Sequence, residues 1–262
     1  MKILIIGDIV GSSGREVLEE YIPKKKSEYD FIIVNGENAA SGKGITPEIA
    51  ENFFKLGVDV ITSGNHIWDK KEINTYLDGT NRLLRPYNYP KGVPGQGYCI
   101  AKNKKGQKVA VVSLQGRTFM PAIDCPFVLG KELVEKLRAE TKYIIVDFHA
   151  EATSEKIALG RYLDGKISMF FGTHTHVQTA DEKILPEGTG FISDVGMTGS
   201  DNGIIGTKAE PVITRFLTGL PQRFEIESGN ARLNGISVEL DDETGECSSI
   251  TRINIGEAEI KY

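Results

Sequence analysis

Short, continuous apolar runs alternate along the first third of the chain with segments whose apolar residues recur every three or four positions. KILIIG (2–7), FIIVNG (31–36) and VDVITSG (58–64) are runs of the first kind, each closed by glycine, and read as buried strands. REVLEEYIPKKK (15–26), PEIAENFFKLG (47–57) and KKEINTYLDG (70–79) have helical spacing, with Pro23 placed to shorten or kink the first. Thr46 is suited to cap the second helix, Pro47 to start it and Gly57 to stop it. This βαβαβ opening predicts a parallel sheet with right-handed crossovers.

Residues 79–97 hold three prolines and four glycines and read as a long surface excursion that shapes a site. YCIAKN (98–103) and KVAVVSLQG (108–116) then read as strands around a KKGQ turn, and GKELVEKLRAET (130–141) as a helix. YIIVDFHA (143–150), ISMFFGTHTH (167–176) and GFISDVG (190–196) read as further strands. Residues 231–256 alternate like an antiparallel hairpin. No linker or repeat divides the chain, so residues 1–262 read as one α/β domain. Two packed sheets with helices outside would accommodate parallel strands at the start and antiparallel ones at the end.

Composition narrows the chemistry. The chain has 262 residues, 40% hydrophobic and 26% charged, ordinary values for a folded domain. No apolar run approaches the ~18 residues of a membrane span. MKILIIGDIVGSSG reads as a buried first strand, without the cleavage pattern of a secretory leader. Cys99, Cys125 and Cys247 are far apart and odd in number, which points to a reducing cytoplasm and gives no thiolate metal knuckle. A net charge of −5 argues against a broad nucleic-acid groove, though a small phosphate ligand stays open if something local supplies positive charge.

Ligand groups in open α/β sheets collect beyond the carboxyl ends of the strands. Here those ends carry Asp8; Glu37 and Asn38; Asn65 and His66; His149; and His174 and His176, which include all four histidines of the chain. Such nitrogen and oxygen donors suit Fe, Mn, Zn, Co or Ni. Seven of them exceed one four-coordinate zinc and fit two metals that share a carboxylate. Asp8 also suits a helix cap, and Asp69 suits a cap for a helix near Lys70 better than an orienting partner for His66. His174 and His176, two apart on an extended segment, would face the same way. GDIVGSSG and ASGKGIT lack the spacing of a dinucleotide or P-loop motif, and no G-x-S-x-G elbow occurs.

The order GD, G-E-N, GNH, a lone His and G-T-H-T-H resembles the calcineurin-like metallophosphoesterases, whose pattern is D-x-H, GD, GNH, H and GH-x-H. Two departures, Val10 in place of the first histidine and Glu37 in place of the bridging Asp, resemble the narrower YmdB-like family of bacterial metallophosphoesterases. GDIVGSSGRE, VNGENAASGKGIT, TSGNHIWDKKEI, LLRPYNYP, GTHTHVQTADE and SDVGMTG carry that resemblance over most of residues 1–200. It implies a four-layer αββα sandwich and a dinuclear centre, most often iron, with manganese or zinc as alternatives. One metal would be held by Asp8, Glu37, Asn38 and His176 and the other by Glu37, Asn65, His149 and His174, so that the two THTH imidazoles serve different ions. His66 would be the proton donor. The implied reaction is hydrolysis of a phosphodiester by metal-activated hydroxide, with 2′,3′-cyclic or 3′,5′-cyclic AMP as leading substrates. Arg85, Tyr87, Asn88 and Arg117 are candidates for phosphate or base contacts, or else for packing of their own loops. Relatives also suggest self-association. A phosphomonoesterase such as a nucleotidase, and a signalling protein whose metals are structural, are the competing readings.

Overall fold

Strand β1 (Lys2–Ile6) sends Ile3 and Ile5 to one side of its sheet and Leu4 and Ile6 to the other, and both sides are buried. That is why the run looks continuously apolar instead of alternating. The computed structural model describes residues 1–261. After β1 come β2 (Asp8–Ile9), α1 (Gly11–Lys25), β3 (Phe31–Asn35), α2 (Pro47–Leu56), β4 (Val60–Thr62) and α3 (Ile73–Gly79). The middle of the chain forms β5 (Tyr98–Lys102), β6 (Lys108–Gln115), α4 (Pro126–Leu137), β7 (Tyr143–His149), α5 (Thr153–Tyr162) and β8 (Met169–Thr173). It ends with β9 (Lys183–Ile184), β10 (Gly190–Ile192), β11 (Met197–Ser200), α6 (Ala209–Thr218), β12 (Ala231–Leu240), β13 (Cys247–Gly256) and α7 (Glu257–Lys261).

The strands form two sheets. One has the order β2-β11-β12-β1-β3-β4, with β13 paired to β12; the other has the order β5-β6-β7-β8-β10-β9. In the first, β1, β3 and β4 are parallel, as the opening pattern predicts, and β12 lies antiparallel against β1. In the second, β6, β7, β8 and β10 are parallel. Phe31 and Ile33 of β3, Tyr143 and Ile145 of β7, and Met169 and Phe171 of β8 fill the layer between the sheets. The alternate residues face α1, α2 and α3 on one outer side and α4 and α5 on the other. The architecture is the αββα sandwich. Each large side chain closed into these layers contributes about 1.5–3 kcal/mol.

Several boundaries differ from the predicted ones for identifiable reasons. Helix α1 begins at Gly11, not Arg15, because GSSG is packed against β11; a Cβ on Gly14 would lie 2.3 Å from the Thr198 carbonyl oxygen. Small residues that permit such contact carry no hydrophobic period. Helix α4 starts at Pro126 and α3 at Ile73, while α2 has its predicted Thr46 cap and Gly57 stop. Helices α5 and α6 and strand β11 were not predicted. In α5 the buried residues are Lys156, Leu159 and Gly160, too few apolar positions to show a stripe. Helix α6 buries only Val212 and leaves Ile213, Phe216 and Leu217 exposed.

Segment 79–97 is not a surface excursion. Leu83 and Leu84 are fully buried, and the chain pairs with β4 through Ile61 and then with β6 through Tyr87 N–H to the Ser113 carbonyl, 2.8 Å. It thereby stitches one sheet to the other. Asn88 is the main tie. Its Nδ2 donates to the carbonyls of Gln115 (2.8 Å) and Asp124 (2.9 Å), and its Oδ1 accepts from Gln115 N (2.9 Å). Asn88→Ala leaves these buried backbone groups unpartnered, and an expected loss of about 2–4 kcal/mol follows. Urea unfolding measures it; a loss under about 0.5 kcal/mol would show that the tie is dispensable.

Candidate active site

The inter-sheet layer changes character at its upper end. Continuing the same face, Ile33 is followed by Asn35, Val60 by Thr62, Ile145 by Asp147 and then His149, and Phe171 by Thr173. Asp147 is fully buried and accepts from Asn35 Nδ2 (2.9 Å), Thr173 Oγ1 (2.8 Å) and Thr62 Oγ1. Burial pushes its carboxyl up to about 7, against the pull of these donors.

Glu37 stands just above. Asn35 Oδ1 accepts from Glu37 N (2.9 Å) and turns the chain, and the Glu37 carboxylate accepts from His66 N (2.6 Å) and Gly64 N. The GNH turn is thus folded around one carboxylate. His149 crosses from the other sheet onto that turn, with its Nε2 3.5 Å from Glu37 Oε1. A Cβ on Gly64 would stand 2.0 Å from the His149 ring, so only glycine lets the two sheets' ends meet there. His149 Nδ1 is 2.9 Å from Thr173 Oγ1.

The THTH segment leaves β8 at Thr173 and is not extended. His174 and His176 have φ of 97° and 66°, left-handed values that cost roughly 1–3 kcal/mol each for such residues. Asp8 Oδ2 accepts from His174 N (3.2 Å). Asp194 Oδ2 accepts from Thr175 N (3.2 Å) and Thr175 Oγ1 (2.8 Å), and from Lys156 Nζ at 2.7 Å in an ion pair 1% exposed on both sides. The twist sends the imidazoles apart. His174 Nδ1 is 3.1 Å from His149 Nε2, whereas His176 Nε2 is 3.2 Å from Asn38 Oδ1. His176 Nδ1 donates to the Ile205 carbonyl (3.0 Å), which leaves Nε2 as the lone-pair nitrogen.

The electrostatics favour a cation. Burial, reinforced by Asp194, pushes Asp8 up to about 7, and burial holds Glu37 well above the usual carboxylate range. Burial also holds His149 well below its ordinary value and lowers His174 and His176, so the imidazoles stand in the neutral form that ligates metals. Asp8 Oδ1 and Asn65 Oδ1 are buried oxygens without a hydrogen-bond partner. Among the described residues no group of three or more His, Cys, Asp or Glu side chains stands at distances that would hold a metal ion. The chemistry of the donor set nonetheless fits divalent metal: neutral nitrogens, buried carboxylates and two unsatisfied oxygens. The pocket there, about 290 Å³, is lined by Glu37, Asn38, His66, His149, Glu151, His174, Thr175, His176 and Ile205.

Of the eight strand-end candidates, Glu37, Asn38, His66, His149, His174 and His176 line this pocket; Asp8 lies behind them, hydrogen-bonded to His174 N and 3.9 Å from His149 Nδ1, and Asn65 sits between Gly64 and His66 in the GNH turn. The fold does not bring Arg85, Tyr87, Asn88 or Arg117 into the pocket lining. Arg85 Nη1 donates to the Pro86 and Tyr87 carbonyls, Tyr87 meets Tyr98 edge-on at 5.9 Å, and Asn88 is the buried tie. Arg117 contacts Cys125 Sγ at 3.3 Å. Asp8 makes no cap for α1, and Asp69 caps no helix: its Oδ2 pairs with His66 Nδ1 at 2.9 Å, while α3 begins only at Ile73. Sequence reading missed Asp147, Lys156, Glu151, Asp194 and Ile205. A charge inside YIIVDFHA two residues before a histidine was a usable signal; Lys156 had none.

Residues 4–253 match the family described as YmdB-like protein. The chain is 51% identical over 259 residues to the 2′,3′-cyclic-nucleotide 2′-phosphodiesterase of Bacillus subtilis (strain 168), covering 98% of each chain. A crystal structure of a hypothetical protein from Thermus thermophilus superposes with a TM-score of 0.93 at 40% identity, covering 98% of this chain and 100% of that one. A crystal structure of a novel phosphatase from Mycoplasma pneumoniae gives 0.91 at 36% identity, covering 98% and 93%. With the strand-end donors, the departures at Val10 and Glu37 and this full-length likeness together, the chain is a member of the YmdB-like family.

Proposed function

We propose that this protein is a metal-dependent phosphodiesterase that hydrolyses cyclic nucleotides, with 2′,3′-cyclic nucleotides as its leading substrates. The observation that carries the reading is the pocket wall. Among the described residues it combines neutral imidazoles with the buried Glu37 and the exposed Glu151 and includes no Lys or Arg. A dianionic monoester would call for a cationic clamp; a diester, with one negative charge, does not. The name of the Bacillus subtilis relative supports the same substrate class.

Asp8, Glu37, Asn38 and His176 would hold one ion and Glu37, Asn65, His149 and His174 the other, most often iron, with manganese or zinc as alternatives. Divalent cations held there would polarise phosphoryl oxygens and lower the pKa of a water. The rest falls to the chain. Glu37, fixed by two backbone N–H groups, keeps the two donor groups in register. Asp194 and Lys156 hold Thr175, and with it the divergence of His174 from His176. Asp69 fixes His66 Nδ1–H, so Nε2 is the nitrogen available to a bound ester. Water adds oxygen to phosphorus and the bond from phosphorus to the ribose 2′ oxygen breaks; the imidazolium form of His66, paired at Nδ1 with Asp69, gives its Nε2 proton to that oxygen, and the proton lost by the attacking water replaces it.

The same reading takes residues 1–262 as one functional unit in the cytoplasm, where no disulfide is needed. Among the described residues no helix is long and apolar enough to cross a membrane. The exposed Ile213, Phe216 and Leu217 of α6 support self-association.

Mn²⁺-loaded protein is expected to hydrolyse 2′,3′-cyclic AMP and bis-p-nitrophenyl phosphate faster than p-nitrophenyl phosphate, with 3′,5′-cyclic AMP as the comparison. A faster monoester would favour a nucleotidase, and no turnover with any metal would favour a binding role. Glu37→Gln is expected to lose metal and activity together, read by metal analysis and assay on one sample. His66→Ala is expected to cost ~10²–10⁴-fold in kcat on the ribose ester, and much less on a p-nitrophenyl ester whose leaving group needs no proton. Equal losses on both esters would remove His66 from the role of acid.

A further inference from the structure

We propose that Asp147, acting through Thr173, is a positioning residue that keeps the His149 proton on Nδ1 and so presents Nε2 as the metal-binding nitrogen. The proposal rests on the reading of His149 as a ligand. It follows from counting protons in the buried layer beneath the pocket. Asn35 Nδ2 can only donate, and it and the Thr62 hydroxyl both point at Asp147 Oδ2. Thr173 Oγ1 lies 2.8 Å from Oδ1, and a carboxylate oxygen has no proton to give, so the single hydroxyl proton goes to Asp147. Thr173 then has only lone pairs to offer His149 Nδ1 at 2.9 Å, and the ring must carry its proton there.

A competing arrangement comes from outside. His174 Nε2 lies 3.2 Å from Glu151 Oε2, and His174 Nδ1 lies 3.1 Å from His149 Nε2. If neutral His174 kept its proton toward Glu151, its Nδ1 would draw the His149 proton to Nε2. Thr173 would then have to donate to His149, and two lone-pair-bearing oxygens would face each other across 2.8 Å in the interior. The Glu151 side chain is 50% exposed, whereas Asp147 is fully buried among three donors. Water screens the outer contact and not the inner one, so the inner chain decides.

Asp147→Asn reverses the chain without changing its shape. The amide oxygen keeps Asn35 and Thr62, the amide nitrogen donates to Thr173, and the Thr173 hydroxyl turns to His149 Nδ1. The ring proton moves to Nε2.

The test compares wild type, Asp147→Asn, Thr173→Val and Thr173→Ser, each stripped of metal, at pH 8.5. Imidazole ¹⁵N–¹H spectra report which His149 nitrogen carries the proton, and calorimetric titration with Mn²⁺ reports affinity. Wild type and Thr173→Ser are expected to show Nδ1–H. Asp147→Asn is expected to show Nε2–H and to bind Mn²⁺ ~10–100-fold more weakly, the usual cost of losing such a support. Thr173→Val is expected to weaken Mn²⁺ binding while Thr173→Ser retains it, which carries the test if Asp147→Asn does not fold. Folded Asp147→Asn with Nδ1–H, or Thr173→Val with wild-type Mn²⁺ affinity, would overturn the proposal. His149→Ala tests the ligand reading by itself: wild-type Mn²⁺ affinity there would refute that reading, whatever the spectra show.

Discussion

Asp147 sits where four strands from two sheets converge, and a carboxylate buried there must find donors. Asn35 of β3, Thr62 of β4 and Thr173 of β8 supply them. An uncompensated buried charge would cost several kcal/mol, so these contacts fix how the sheets meet at this end. They also fix what lies above. Asn35 turns the chain into Glu37, Glu37 gathers the GNH turn, and Thr173 contacts both Asp147 and His149. The apolar layer below needs only volume and alternation. The polar layer needs particular groups in particular directions, and the pocket inherits that direction.

A second buried charge performs the same service on the opposite rim. Lys156 and Asp194 are paired out of water, and such pairs contribute little net stability. Here the pair has a local consequence. Asp194 holds Thr175 between two histidines whose backbones are left-handed, a conformation that the segment would not keep unaided. Strain in the THTH loop is held by that anchorage and by Asp8, and it sends His174 toward His149 and His176 toward Asn38. The pocket therefore holds His174 beside His149 and His176 beside Asn38.

Much of this was legible in the sequence because strand ends announce themselves. Apolar runs in both sheets stop at a glycine or polar residue, and the residues at and beyond those stops include the six donors that line the pocket together with Asp8 and Asn65. The capped helix α2 and the hairpin of β12 and β13 were equally plain. What escaped depends on tertiary contacts. Asn88 looks like a loop amide, yet three backbone groups from β6 and the following turn claim it. Arg85 and Tyr87 look poised for substrate and instead close their own segment. Asp69 looked like a cap because it precedes a helical period, but the helix starts later and the carboxylate turns to His66. Lys156 lies in a helix with almost no apolar stripe, and only its partner across the fold gives it meaning.

On the proposed reading, strand-end donors from both sheets form two cation positions that share Glu37. The most direct measurement is anomalous diffraction at the manganese edge on crystals grown with Mn²⁺. Two separate peaks are expected, one beside His176 and Asn38 and the other beside His149 and His174, with Glu37 touching both. A single peak gripped by His174 and His176 together, or two peaks neither of which contacts Glu37, would contradict it.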